Sequence, residues 1–132
     1  MDAKVIRTGR APIPGGAYSQ GLIVGGFLFT AGVGPIDPTT GRVVGNTITE
    51  QTRQVLTNLR AILEESGLDF ADVVKTTVHL QDIARDFAEF NRTYETFFVP
   101  PYPVRTTVGS VLPGILVEID MIAWAGPKSR VD

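Results

Sequence analysis

The chain has 132 residues, with 12 lysines and arginines against 14 aspartates and glutamates, a single histidine and no cysteine. That length suits one domain whose core needs no disulfide or metal, and 43% hydrophobic against 20% charged residues argues against disorder. A net charge of −2 without a basic run argues against a phosphate-backbone binder, and His79 alone, with no thiols, excludes a cysteine or multi-histidine zinc site.

Residues 3–7 alternate weakly and read as a short first strand. They carry no apolar signal core, and no apolar run approaches the ~20 residues of a membrane span, so a soluble, cytoplasmic protein is expected. Pro12-Ile13-Pro14-Gly15-Gly16 imposes an irregular loop. Gln20 to Val24 and Phe27 to Val33 are β-rich runs separated by Gly25-Gly26, which predicts a hairpin. Gly32, Gly34 and Pro35 end its second strand, and Asp37-Pro38-Thr39-Thr40-Gly41 supplies a further turn.

Thr47 and Glu50 have the spacing of a capping box. The helix after them repeats apolar residues at Ile48, Val55, Leu56, Leu59, Ile62 and Leu63, and Gly67 is its stop signal. Val73 to Leu80 alternates as a strand, with Val74, Thr76, Val78 and Leu80 assigned to the core side and Val73, Lys75, Thr77 and His79 to the other. A second helix starts near Asp82 or Asp86, with Ile83, Phe87, Phe90, Tyr94 and Phe97 as one packing stripe, and the prolines at 100, 101 and 103 break it. Two last strands, about 104–110 and 115–125, are joined through Leu112-Pro113-Gly114. The order is ββ(β)α–βα–ββ in one domain, residues 1–132, with no internal repeat or linker.

These last strands carry the charges that matter most. Arg105 and Glu118, thirteen residues apart, each sit in an otherwise apolar or neutral strand-like segment. A guanidinium fork matches a carboxylate bidentately, and a partly buried carboxylate beside it can hold or deprotonate a water. The two together form a candidate site for a small carboxylate-bearing substrate. The alternative is structural, an ion pair of Arg105 with Glu118 or Asp120. The final strand is apolar on both faces, whereas two helices can cover only one side of a sheet, so the other side is expected to be buried against further subunits. A homo-oligomer with its site near the interface follows.

The chain resembles the RidA/YjgF family of small imine deaminases over nearly its whole length. The resemblance is carried by Gly16-Ala17-Tyr18-Ser19-Gln20, Phe29-Thr30-Ala31-Gly32, Val73-Val74-Lys75-Thr76-Thr77-Val78, Phe87-Ala88-Glu89-Phe90-Asn91 with Tyr94 and Phe97-Phe98, Pro103-Val104-Arg105, and Val117-Glu118-Ile119. It implies an α+β fold of the chorismate-mutase-like type, a sheet of about six mostly antiparallel strands with two helices on one face, assembled as a homotrimer with sites between subunits. It implies hydrolysis of 2-imino and enamine acids, such as 2-iminobutanoate and 2-iminopropanoate, to 2-keto acids and ammonia.

By the same resemblance Arg105 takes the substrate carboxylate, Glu118 orients or activates the attacking water, and the Tyr18 hydroxyl closes the site. Gly32 and Thr107 bring backbone groups to the substrate, Ala31 adjoins it, and Asn91 supports or touches it. The chemistry requires no metal or organic cofactor, and neither nucleic acid nor a membrane is an expected partner. Two departures bear on specificity: Ala31 and Val33 replace a serine and a glutamine of typical members, and Thr107 replaces a cysteine. A non-catalytic metabolite-binding trimer, a deaminase of other enamine acids in a catabolic pathway and, last, an endoribonuclease remain the alternatives.

Overall fold

Gly25 and Gly26 adopt left-handed backbone, with φ of 57° and 83°, the geometry that returns one twisted strand onto another through a two-residue turn. They join β2, Gly21–Val24, to β3, Phe27–Thr30, in the expected hairpin. The structure, a computed structural model, describes residues 1–126. β1, Lys4–Ile6, pairs with β2 at one edge of the sheet. Past β3 come β6, Val117–Trp124, then β4, Val73–Leu80, and finally β5, Val104–Gly109, at the other edge. The six strands are antiparallel at every junction except β4 with β5. The α+β architecture expected from the sequence is the one observed.

Helix α1, Ile48–Glu65, begins at the capping box: Glu50 N–H donates to Thr47 Oγ1 at 3.1 Å and Thr47 N–H to Glu50 Oε1 at 3.2 Å. It ends where Gly67, at φ 75°, lets Leu68 N–H reach back to the Leu63 carbonyl at 2.8 Å. Helix α2, Ile83–Glu95, is capped by Asp82, whose carboxylate accepts from Arg85 N–H. The core lies between these helices and one sheet face. Val117, Ile119, Met121 and Ala123 of β6 are at most 1% exposed there, against Leu56, Leu59 and Leu63 of α1. Each of these side chains except Ala123 contributes ~1.5–3 kcal/mol by leaving water. No helix among the described residues is long and apolar enough to cross a membrane.

The structure corrects several local expectations. A bulge between Val73 and Lys75 shifts the β4–β6 register, so Val73 is buried and Val74 is 41% exposed, the reverse of strict alternation. β3 ends at Thr30 rather than Val33, because Ala31 and Gly32 leave the ladder before Val33 rejoins it as an isolated bridge to Ile119. Phe87 does not join the core stripe. It is 41% exposed on α2, while Asp86 is buried and clasped by the Arg85 guanidinium at 2.9 Å.

β5 and β6 are consecutive in sequence yet not neighbours. The chain leaves β4 through α2 and returns parallel to it as β5, and β6 then inserts between β3 and β4. The face away from the helices carries Phe29, Val104, Val108 and Trp124, all exposed. That placement of apolar side chains on the uncovered side agrees with the reading of β6 as apolar on both faces.

Candidate functional site

Strand register decides which face each charge takes. Arg105 lies opposite Thr76, and Thr76 lies opposite Met121, so Arg105 projects on the helix-covered face at the β5 edge. There its Nη2 donates to Asn91 Oδ1 at 2.7 Å. Its Cζ lies 4.8 Å from the ring centroid of Tyr94, 5.4 Å from Phe90 and 5.9 Å from Phe87. Positions 87, 90, 91 and 94 meet one guanidinium because three- and four-residue steps on a helix share a face. Each ring attracts the cation by ~0.5–2 kcal/mol, more as water is excluded.

Tyr94 is held in turn from behind, its hydroxyl 2.8 Å from Thr76 Oγ1, and burial pushes its phenol up, so it stays neutral near pH 7. Thr107, opposite Val78, shares the Arg105 face and is half-buried.

Glu118 stands elsewhere. It lies opposite His79 on the uncovered face, where Asp120 also projects. Thr30 shapes the backbone beside it: its Oγ1 accepts from Met121 N–H at 2.9 Å and donates to the Ala31 carbonyl at 2.9 Å, ending the β3 ladder. Val33 restores pairing through two bonds with Ile119, of 2.8 and 3.1 Å. Between them Gly32 passes so close to the acid that an added Cβ would come within 2.7 Å of Glu118 Oε2.

Glu118 and Gly32 border a cleft of about 590 Å³, together with Tyr18, Ala31 and the Asp37–Gly41 turn. The Tyr18 hydroxyl accepts from Gly15 N–H at 2.9 Å, and its ring is half exposed. Of the two carboxylates on the cleft, Asp37 is engaged by Thr39 N–H at 2.7 Å and Thr40 N–H at 3.2 Å, holding its own turn. The Glu118 carboxylate has no hydrogen bond or ion pair to another described residue.

Two buried amides fix the cleft walls, and sequence reading missed both. Gln20 accepts from Thr8 N–H at 2.7 Å and donates to the carbonyls of Thr8, Ala11 and Pro12, pinning the proline-rich loop. Asn58, fully buried on α1, donates to the carbonyls of Gly34 at 3.1 Å and Ile36 at 2.8 Å. The available signal was a polar amide set among apolar positions, which in a core must find partners.

The sequence-predicted residues therefore divide into two groups within the chain. Arg105, Asn91 and Thr107 share the helix-side edge of β5, while Glu118, Gly32, Ala31 and Tyr18 share the cleft. An Arg105–Glu118 pair, and the alternative ion pairs of Arg105 with Glu118 or Asp120, do not form within the chain. An even number of steps along β6 from Met121 keeps to one face, and Glu118 is an odd number away. Among the described residues no ion pair involves Arg105 or Glu118. Asp120 has its carboxyl pushed up by burial, offset in part by His79 and Lys75. His79 itself bonds Ser110 Oγ at 2.7 Å.

Residues 8–125 match the family model described as Endoribonuclease L-PSP. The chain belongs to the RidA/YjgF family. Within it, a RutC family protein of Pyrococcus abyssi is 48% identical over 126 residues, 94% of this chain and 98% of that protein. The 2-iminobutanoate/2-iminopropanoate deaminase of Rattus norvegicus is 41% identical over 126 residues, covering 94% and 91%. Among solved structures, E. coli TdcF with bound serine superposes at a TM-score of 0.86, with 38% identity over 93% of this chain and 99% of that one.

Proposed function

We propose that this RidA/YjgF member is a hydrolytic deaminase of reactive 2-imino and enamine acids, working as a homotrimer with sites shared between protomers. The observation that carries the proposal is the division described above: each half-site ends in a charge that its own protomer leaves unanswered. A neighbour packed on the uncovered face would bury Phe29, Val108 and Trp124 and bring its β5 edge to the cleft. Identical subunits related by a rotation axis repeat that contact at every interface and close the ring.

In this reading the Arg105 fork, held by Asn91 and three aromatic rings, grips the substrate carboxylate bidentately. The protonated C=N carbon is electrophilic without further help. Glu118 accepts a proton from a water while the water oxygen bonds to that carbon, giving a tetrahedral amino alcohol. Glu118 returns that proton to nitrogen, with the Tyr18 hydroxyl beside it, then takes the carbinol O–H proton as the C–N bond breaks, so that the C=O of the 2-keto acid forms and ammonia leaves, carrying the proton away from Glu118 as ammonium. Positioning and general acid–base help of ~10²–10⁴-fold suffice for such a reactive substrate. The serine in the TdcF structure is itself a small molecule with a carboxylate, which supports the substrate class.

The test generates 2-iminobutanoate with a threonine dehydratase and follows its loss by semicarbazide trapping. The parent should accelerate hydrolysis and Arg105→Ala should remove most of the acceleration. An Arg105→Ala variant as active as the parent contradicts the mechanism. A melting shift with 2-oxobutanoate and no rate acceleration would indicate a metabolite-binding trimer instead.

A further inference from the structure

Once β3 leaves its ladder after Thr30, the carbonyls of the stretch that follows have no continuous strand beside them, and carbonyls shielded from water need donors. Three in succession find them. Pro35 accepts from Val44 N–H at 2.8 Å, while Gly34 and Ile36 both accept from the side-chain amide of Asn58, at 3.1 and 2.8 Å. Asn58 is fully buried on α1, and Gln54 Nε2 donates to its Oδ1 at 2.9 Å. That bond leaves two N–H groups for two carbonyls, and the flipped amide would set oxygen against oxygen.

The held stretch leads directly to the acid. Val33, beside Gly34, exchanges both backbone bonds with Ile119, beside Glu118, and Gly32 on its other side lies against the Glu118 carboxylate. We infer that Asn58 is a positioning residue for Glu118: from the helix layer it fixes residues 33–36 and, through the Val33–Ile119 bridge, the place of Gly32 beside the carboxylate. The effect on rate rests on the deaminase reading, whereas the hold on the loop is independent of it. β6 and β4 stand between this loop's strand and the β5 edge that carries Arg105. Loss of Asn58 therefore acts on turnover and leaves the grip on the substrate carboxylate alone.

The experiment compares three variants. Asn58→Asp keeps the shape but turns oxygen toward both carbonyls, Asn58→Ser keeps a single short donor, and Leu63→Ala truncates a buried side chain nearer the C-terminal end of the same helix. Amide hydrogen exchange is followed at Val33 and Ile119, and kcat and KM on 2-iminobutanoate are measured well below each melting temperature. Asn58→Ser should exchange faster at both amides and lose at least about tenfold in kcat, toward the roughly 10²-fold that an ångström of misplacement costs. Its KM should stay within about twofold of the parent. Asn58→Asp should show larger losses of the same kind, and Asn58→Ser carries the test alone if the aspartate protein does not fold. Leu63→Ala should lower the melting temperature with exchange at those amides and kcat close to parental. Parental kcat in Asn58→Ser, with or without faster exchange, or equal losses in Leu63→Ala, overturns the inference and leaves the deaminase reading intact. A parent that hydrolyses no imino acid overturns the deaminase reading, and the exchange comparison then decides whether Asn58 holds the loop.

Discussion

The Glu118 carboxylate occupies the space that a side chain at Gly32 would need, with Oε2 2.7 Å from where a Cβ would stand. The glycine is required there by contact and not by backbone angle, since it is absent from the residues with positive φ. Thr30 and Val33 fix the backbone on either side through their bonds to Met121 and Ile119, so the loop cannot yield freely.

Gly32→Ala is therefore expected to displace the acid while leaving the fold intact. A catalytic group moved by about 1 Å loses roughly 10²-fold in rate. The check is kcat/KM on 2-iminobutanoate beside a melting curve: rate should fall by about that factor with the melting temperature shifted by only a few degrees.

Arg105→Lys tests the fork separately from the charge. Lysine keeps the cation but cannot donate to Asn91 and bind a carboxylate bidentately in one plane. Losing one or two charge-assisted bonds of ~1.5–3 kcal/mol each predicts a fall in kcat/KM of roughly 10²-fold, expressed largely in KM. A lysine variant with parental KM would show that the planar fork is not what holds the substrate.

Tyr94 offers a graded test of how Arg105 is held. Tyr94→Phe keeps the ring beneath the guanidinium and removes the bond to Thr76, leaving a buried hydroxyl without its partner, for a stability loss of about 1–2 kcal/mol. Tyr94→Leu removes the ring as well. The phenylalanine variant should lose stability but keep near-parental KM, and the leucine variant should lose both.

The fold and the site were legible to different depths. Gly25-Gly26 and the Thr47–Glu50 box are local devices, and each acts in the structure as its sequence pattern predicts. The face taken by Arg105 was not legible, because it depends on β5 lying parallel beside β4 while β6 goes between β4 and β3. Charges thirteen residues apart in one chain looked like partners, and strand order separated them. The bulge that inverts Val73 and Val74 left no turn residue as a marker. Phe87 fits the helical stripe by spacing, yet its ring lies 5.9 Å from the Arg105 guanidinium carbon and is 41% exposed to solvent.

Asp120 gives a pH dependence of stability. Burial raises its carboxyl in the fold above the ordinary carboxylate value, so on raising the pH the unfolded chain ionises first. Stability is thereby highest when the group is protonated and declines as pH climbs from the ordinary carboxylate range through the raised folded value. Asp120→Asn removes the titration. Its melting temperature should exceed the parental one at about pH 7, and the gap should close on acidification to about pH 4.

The central claim is that one protomer supplies Arg105 and its neighbour supplies Glu118. Arg105→Ala and Glu118→Gln proteins, each inactive alone, can be unfolded together and reassembled in equal amounts. Random mixing should return about one quarter of parental activity, because about one site in four then joins an intact Arg105 to an intact Glu118. Mixed assemblies of confirmed composition that stay as inactive as either variant alone would contradict the account.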